Sequence, residues 1–569
     1  VWYARTAVVA EGWVAEARIP LSQLRFSKKK NQIWGLQVQR RLFRMEERSV
    51  WQHAPIDAPG WVHLFGELHG IKGIKRQRQV EVTPYTVMQM ERYQSEDNNP
   101  FATGKDEKIT FGVDGKVAVT SDLTLDFTIN PDFGQVEADP SQVNLSAYEV
   151  FFRERRPFFI EGRNILSFRM SSGDILFHSR RIGRQPQYTP SLEEGEFMDR
   201  PDMTTILGAL KLTGRTEKGL SVGFLNSVTQ EEFAEIDHNG ERSKETVEPL
   251  TNYLVGRVQQ DLNEGNSQIG AMITATNRNL NHESLDFLNE SAYSGGIDFR
   301  HSWNKRTYYL EGNLVMSQIN GSTTAILEAQ TSSERFYQRP DADHLEVDST
   351  LTSLTGTGGK LEFGKRGSGN FSFETGATWK SPGLAINDIG FMRNTDRIRQ
   401  WFYIDYEMLK PSKTFRHFSA SLSENSDWDF AGENLTNRIS VSGNAEFRNY
   451  WGVRMGTSLR TENLSRSALR GGPAFIYPGS TYIWFRLSSD ERKKLRFSTN
   501  PWVSSGNQGY SDGFGVSMNF NYQPLNALNI SVSPNYSWRT WEQQYVATTS
   551  FGELTRYING TIEQNTASI

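Results

Sequence analysis

The sequence predicts an all-β protein, a large antiparallel transmembrane β-barrel preceded by a separate strand-bearing region. Three observations predict it. Two-residue alternation of apolar and polar side chains recurs along most of the chain, tight connections alternate with long ones, and helical 3.6-residue periodicity is nearly absent.

The strands come first. In "DLTLDFTI", Leu123, Leu125, Phe127 and Ile129 share one face while Asp122, Thr124, Asp126 and Thr128 share the other, because successive side chains of a pleated strand point to opposite sides. Ile109, Phe111, Val113, Val117 and Val119 form another apolar row, as do Tyr308, Leu310, Leu314 and Met316, and Phe514, Val516, Met518, Phe520 and Tyr522. Connections come next. "VTSDLT" at 119–124, "FRNYWGV" at 447–453 and "YQPLNALN" at 522–529 are tight, whereas 228–251, 318–357 and 423–437 are long and polar. Short turns on one rim and long loops on the other are the pattern of a membrane barrel. At about 10 residues per strand plus turns, residues 80–569 hold roughly sixteen to twenty strands, too many for one sandwich. Trp379, Trp401, Tyr450, Trp451, Trp484 and Trp538 lie near strand ends, where aromatic girdles are expected at the membrane interfaces.

Composition excludes several classes. The chain has 569 residues, a net charge of −4 and no cysteine, which removes disulfide scaffolds, thiolate nucleophiles and Cys-ligated zinc and gives no electrostatic basis for nucleic-acid binding. No run of ~18 apolar residues exists for a helical span, a test that barrel strands escape. The chain starts at Val1 without a signal-peptide pattern and stops in mid-pattern with no terminal aromatic, so the sequence predicts a piece of a longer precursor whose barrel is incomplete at the C-terminus.

Residues 1–66 read differently. "GWVAEARIPLSQLRF" and "QIWGLQVQRRLFR" are strands with Trp13, Ala15, Ala17 and Ile19 on one face and Trp34, Leu36 and Val38 on another, which assigns Trp13 and Trp34 to packing. The Gly- and Lys-rich joint at 67–79 is the predicted linker.

Within the barrel region, residues 130–204 lack alternation. A stretch so rich in charge and proline cannot face lipid, where unpaired backbone groups and ions cost several kcal/mol. It is therefore expected in the lumen or beyond the rim, as a plug, a selectivity constriction or a long loop tied to the wall. The candidate lumenal charge cluster comprises Asp132, Glu137, Asp139, Glu149, Glu154 and Glu161 with Arg153, Arg155, Arg156, Arg180 and Arg181, anchored by Phe151, Phe152, Phe158 and Phe159.

Catalytic signals are weak. Glu137 and Asp139 could act as acid and base on a glycoside, but no nucleophile elbow, HExxH helix or P-loop occurs, and no cofactor motif. "RPDADHLEVD" at 339–348 offers Asp341, Asp343, His344 and Asp348 but lacks the turn glycine of a calcium loop, so a solvated loop is the favoured reading over a metal site.

Two stretches carry a resemblance. "GWVAEARIPLSQL" looks like the last third of a family 9 carbohydrate-binding module, which implies that residues 1–66 are the C-terminal part of a carbohydrate-binding-like β-sandwich. "TINPDFGQVEADPSQVNLSAYEVFFRERRPFFIEG", with "ILFHSRRIG" at 175–183, resembles the signature of a poorly characterised Gram-negative outer-membrane β-barrel family in which such a module precedes the barrel. Residues 153–156 read Arg-Glu-Arg-Arg where Pro-Glu-Lys-Arg is expected, which keeps the basic character. The resemblance implies a location in the outer membrane and the fold, and no known activity. The expected role is non-catalytic binding or passage of a glycan or other solute, with outer-membrane lipid, a glycan ligand and other outer-membrane proteins as candidate partners. A secreted or surface glycan-acting enzyme, whose strands would form soluble sandwiches, and a structural or secretion-associated outer-membrane barrel are the alternatives.

Overall fold

The computed structural model describes residues 2–569 apart from 22–23, 25, 27–28, 43–44, 46, 56–57, 59, 75–79, 121, 132–142, 526 and 553. Strands from Val80–Arg92 to Leu554–Ser568 form a closed barrel of antiparallel neighbours. Leu528–Val532 and Asn535–Phe551 both pair with Asp512–Leu525 and act as one stave, so the 21 strand segments of the closed sheet make twenty staves. The last strand lies beside Val80–Arg92.

The alternation sorts each strand into an outer and an inner face. Ile297, Leu314, Ile439, Val441, Leu459, Ile483 and Val503 are exposed on the outside, and the ladders bring them together in pairs such as Ile297 with Leu314, Ile439 with Leu459 and Ile483 with Val503. An exposed apolar belt running through successive strands is costly in water and stable in lipid. The row Leu125, Phe127 and Ile129 lies on this outer side, whereas Asp126 and Thr128 are buried inside. Asp126 stands 3.4 Å from Lys211 Nζ on the neighbouring strand Ile206–Arg215. No described helix is long and apolar enough to cross a membrane.

The connections separate into two ends. One end has short turns at 216–219, 263–266, 304–307 and 448–451. The opposite end carries the insertion 130–205, the hairpin Glu232–His238 with Glu241–Glu248, the helix Thr323–Thr331 and the small ladder Asn463–Ser465 with Phe475–Tyr477. The expected long loop 423–437 is instead mostly strand, with a five-residue turn between Trp428 and Asn434, because the alternation of its serines and asparagines hides a polar inner face. An aromatic row marks the short-turn rim. Trp303 stacks on Tyr308 (6.0 Å) and Phe363 (6.1 Å), and Phe371 and Tyr406 (5.0 Å) continue the row. Of the residues expected in the girdles, Trp538 packs on outward Phe514, but Trp401 turns inward and donates to Glu374 Oε1 at 3.2 Å.

Before the barrel, Tyr3–Val9 pairs with Gly12–Arg18, Gln39–Leu42 with Glu47–Val50 and Asn31–Leu36 with Gly66–Lys72. The strand Gly66–Lys72 falls where the linker is expected to begin, since "GELHGIK" keeps enough alternation to pair. Trp13 is 60% exposed rather than packed, because an isolated two-stranded ladder has no second layer to bury it.

The two faces make a paired expectation. Val441→Arg, on the apolar belt, should lower barrel stability by about 2–4 kcal/mol, whereas Ser442→Arg, one residue on and facing the lumen, should be tolerated. Urea unfolding in lipid vesicles, followed by heat-modifiable gel mobility, measures both.

Candidate functional site: the lumenal plug and its wall

Residues 143–204 enter from the long-loop end, between Leu123–Ile129 and Ile206–Arg215; the stretch from Phe159 to Ile182 docks against the inside of the barrel, while Glu196–Asp199 pairs with the hairpin strand Glu232–His238 at the long-loop end. Proline sets the local conformation of the first signature stretch. Arg156 is extended ahead of Pro157, which starts the single-turn helix Pro157–Ile160, and Gly162 follows at φ +68°. A Cβ at Gly162 would meet Thr213, and one at Gly183 (φ +71°) would meet Ile206, so both signature segments end on glycines that let the backbone reach the wall.

A buried ion pair joins the two signature segments. Glu154 and Arg156 have side chains 3% exposed each, and Arg156 Nε and Nη2 donate to the two Glu154 oxygens at 2.8 and 2.7 Å. The carboxylate also accepts the backbone N–H groups of Arg155 (3.0 Å) and Arg156 (2.9 Å) and the Ser179 hydroxyl (2.6 Å). The guanidinium donates onward to the carbonyls of Ile182 (2.7 Å) and Ser179 (2.6 Å) and lies over the Phe159 ring. Burial works against the charged form of Glu154, but hydrogen bonds and the charge of Arg156 outweigh it and hold the carboxyl below its ordinary value. Beside this pair, burial and then the charge of Arg181 push His178 down to about 4, so the ring is neutral near pH 7 while it stacks on Phe151 at 4.8 Å.

Further contacts fix the plug to its surroundings. Arg181 pairs with Glu149 (2.8 and 2.7 Å) and donates to the Gly390 carbonyl (3.0 Å). Lys211 on the wall donates to the carbonyls of Phe158 and Glu161 (the latter at 2.9 Å) and lies over the Phe158 ring, while Lys116 pairs with the Glu161 carboxylate. The apolar contribution is larger than the sequence suggests. Leu166, Phe168 and Met170 join a buried cluster with wall residues Leu225, Tyr253, Val255, Met272 and Val315. A Cβ at wall glycines Gly223, Gly296 or Gly358 would fall 2.7, 2.7 and 2.8 Å from Leu166, Phe168 and Met170, so each knob occupies the space above a glycine. The lumen wall is therefore not uniformly polar.

Of the predicted cluster, the structure brings Glu149, Glu154, Arg156, Glu161 and Arg181 into ion pairs. Arg153 is exposed, Arg155 and Arg180 are half-buried, and Phe152 is half-buried. Asp132, Glu137 and Asp139, including the pair weighed for catalysis, lie outside the described residues. Phe151, Phe158 and Phe159 act as ring anchors. Sequence reasoning missed the plug tip. Ser171–Asp174 and Arg169 face a lumenal pocket of about 380 Å³ bounded by Lys360, Glu362, Lys380, Arg397, Arg399 and Trp401. Lys380 Nζ lies 3.3 Å from Asp174, and Arg399 Nε donates to Asp427 at 2.7 Å. Charges, hydrogen-bond donors and an indole edge suit it to holding a polar solute.

The loops over the long-loop mouth also interlock. His344, from the stretch weighed for metal binding, donates from Nε2 to the Asp396 carboxylate at 2.9 Å. Asp396 and Asp429 both bind the Arg466 guanidinium, which supplies positive charge where a cation would sit. Asp341 accepts from the Ala474 N–H at 2.6 Å and Asp348 from Thr350, so these carboxylates shape loops.

Breaking the buried pair from one side should be costly. Arg156→Ala leaves Glu154 buried without its cation and should destabilise the plug by about 3–5 kcal/mol, whereas the apolar double change Glu154→Leu with Arg156→Met should recover a large part of that loss. Protease cleavage within 143–204 reads the result. The pH dependence has a definite sign. His178 has a folded value below its unfolded 6.5, and Glu154 one below its ordinary 4.5, so both contributions are complete above pH 6.5 and are lost as pH falls. Plug protection should begin to fall below pH 6.5 in the parent, and His178→Gln should confine the loss to the carboxylate range, as hydrogen exchange against pH would show.

Comparison with known proteins follows from this architecture. No curated protein sequence matches the chain. Among solved structures, the siderophore receptor PirA from Acinetobacter baumannii is similar at 8% identity over 87% of this chain and 74% of that one, with a TM-score of 0.32. A ferric enterobactin receptor, PfeA, from Pseudomonas aeruginosa is similar at 9% identity over 86% and 73%, with a TM-score of 0.35, and OccK10 (OpdN) from the same organism at 9% over 66% and 97%, with a TM-score of 0.28. The model of a family described as a domain of unknown function, DUF5916, matches residues 79–568, barrel and plug together, and the chain belongs to that family.

Proposed function

We propose that this protein is a barrel of the Gram-negative outer membrane that binds a solute in its lumen and passes it when the plug moves, without chemical conversion. One observation carries the reading. The same strands present an exposed apolar belt outside and a charged wall inside, and the signature segments around Glu154 and Ser179 fold into that interior. Lipid outside and solute inside account for both faces. In this orientation the short turns face the periplasm and the long loops the exterior. The N-terminal ladders then sit at the periplasmic mouth, where Ala58 and Gly60 line a pocket with Arg306 and Gly367 and where Arg41 reaches Glu491 at 3.4 Å. Their likeness to a carbohydrate-binding module supports a glycan as the solute and a sandwich as the complete N-terminal domain.

The plug is the element to test. In planar bilayers the parent should conduct weakly, and Glu154→Ala with Arg156→Ala, which unties the two signature segments, should raise single-channel conductance severalfold while the barrel stays folded. A folded variant with the parent's conductance would remove the gating role.

A further inference from the structure

The wall away from the docked plug is basic in a way that the strand pattern makes unusual. Ile439 and Val441 are exposed outside, so Arg438, Ser440, Ser442 and Asn444 face the lumen. The ladders place Arg438 directly opposite Arg460, and Arg454 directly opposite Arg486. Side chains so paired start about 4.5–5.5 Å apart at Cβ, and like charges there are destabilising. Neither Arg438 nor Arg486 has a hydrogen-bond or ion-pair partner among the described residues, and Asp427, the carboxylate on the adjoining strand that acts on Arg438, is already held by Arg397 and Arg399. Arg454 reaches only Asn444 (3.0 Å) and Arg460 only the Tyr510 hydroxyl (2.9 Å). No carboxylate intervenes on these three strands between the two arginine pairs.

Arg438 and Asn444, the register partner of Arg454, are six residues apart, so the pairs stand about 20 Å apart along the barrel. Hydroxyls cover the wall between them, with Ser440 bonded to Ser458 (2.9 Å) and Ser421 to Ser442 (2.7 Å). Trp484 lies across the ladder from Gly456, its ring close over the position where a Cβ would stand. An indole face between two unneutralised cation pairs can stack on a ring while the arginines take oxyanions at either side.

We infer that the solute is an acidic oligosaccharide, whose carboxylate or sulfate groups neutralise Arg438 with Arg460 and then Arg454 with Arg486, and whose rings stack on Trp484. This inference rests on the solute-binding reading and names its substrate class. Calorimetry on the detergent-solubilised full chain tests it with three probes: an oligogalacturonate tetramer, a sulfated oligosaccharide of equal length and neutral maltotetraose. Binding of one or both acidic probes, falling about tenfold or more in Arg438→Gln with Arg486→Gln and falling with added salt, is the expected result. Which acidic probe binds distinguishes carboxylate from sulfate. Trp484→Ala should weaken the sugar probes and leave inorganic sulfate unaffected. Equal binding of maltotetraose, indifference to the arginine changes, or no binding of either acidic probe overturns the inference. In each of those cases an increase in conductance on plug release would leave solute passage standing.

Discussion

The arrangement depends on a buried ion pair between residues two apart in sequence. Glu154 and Arg156 lie deep inside the barrel, where an unpaired charge would be expensive, and each uses its remaining hydrogen-bonding capacity on the second signature segment. Five polar atoms of Ser179, Ile182 and the local backbone are thereby satisfied by one pair. Without it, the carbonyls of Ser179 and Ile182 and the Ser179 hydroxyl would lose the side chains that tie the second segment to the first. Such a pair adds little net stability compared with apolar side chains of the same shape, but it specifies a single arrangement of the two segments.

Around this pair the barrel is divided by function. The strands between Ile206 and Lys365 offer glycine hollows and apolar side chains to the plug. The strands from Arg397 to Ser488 offer serines and arginines to open lumen. The same two-residue alternation therefore builds two kinds of inner wall, one a docking surface and one a polar track. The long loops complete the enclosure through Arg466, whose guanidinium holds Asp396 and Asp429 together over the mouth.

Much of this was legible in the sequence. The outward row Leu125, Phe127 and Ile129 and the alternating connection lengths follow from pleating and barrel topology, and the cost of exposing charge to lipid keeps the charged signature off the outer face without choosing between lumen and rim. The partners within the signature were not. Glu154 chooses Arg156 and Ser179 rather than any other nearby cation because of the turn imposed by Pro157, a three-dimensional fact that spacing alone does not encode. The apolar half of the wall was hidden because Tyr253, Val255 and Met272 alternate with residues that are also apolar or neutral, so neither face declares itself as lumenal. Trp401 and Trp484 illustrate the reverse error, since an aromatic near a strand end serves a lumen as readily as a girdle.

The absence of cysteine allows a direct test of the central claim, a lipid-facing barrel with a solvated lumen that holds the plug. Val441→Cys, Ser442→Cys and Leu166→Cys introduce single thiols on the outer belt, the lumen wall and the plug. Labelling in lipid vesicles with a lipid-soluble maleimide and with a charged, water-soluble one separates the environments. The account predicts that Val441→Cys reacts only with the lipid-soluble reagent and Ser442→Cys with the charged one. It also predicts that Leu166→Cys, buried between plug and wall, is slow with the charged reagent until Glu154 and Arg156 are replaced by alanine. Equal reaction of Val441→Cys and Ser442→Cys with the charged reagent would contradict it.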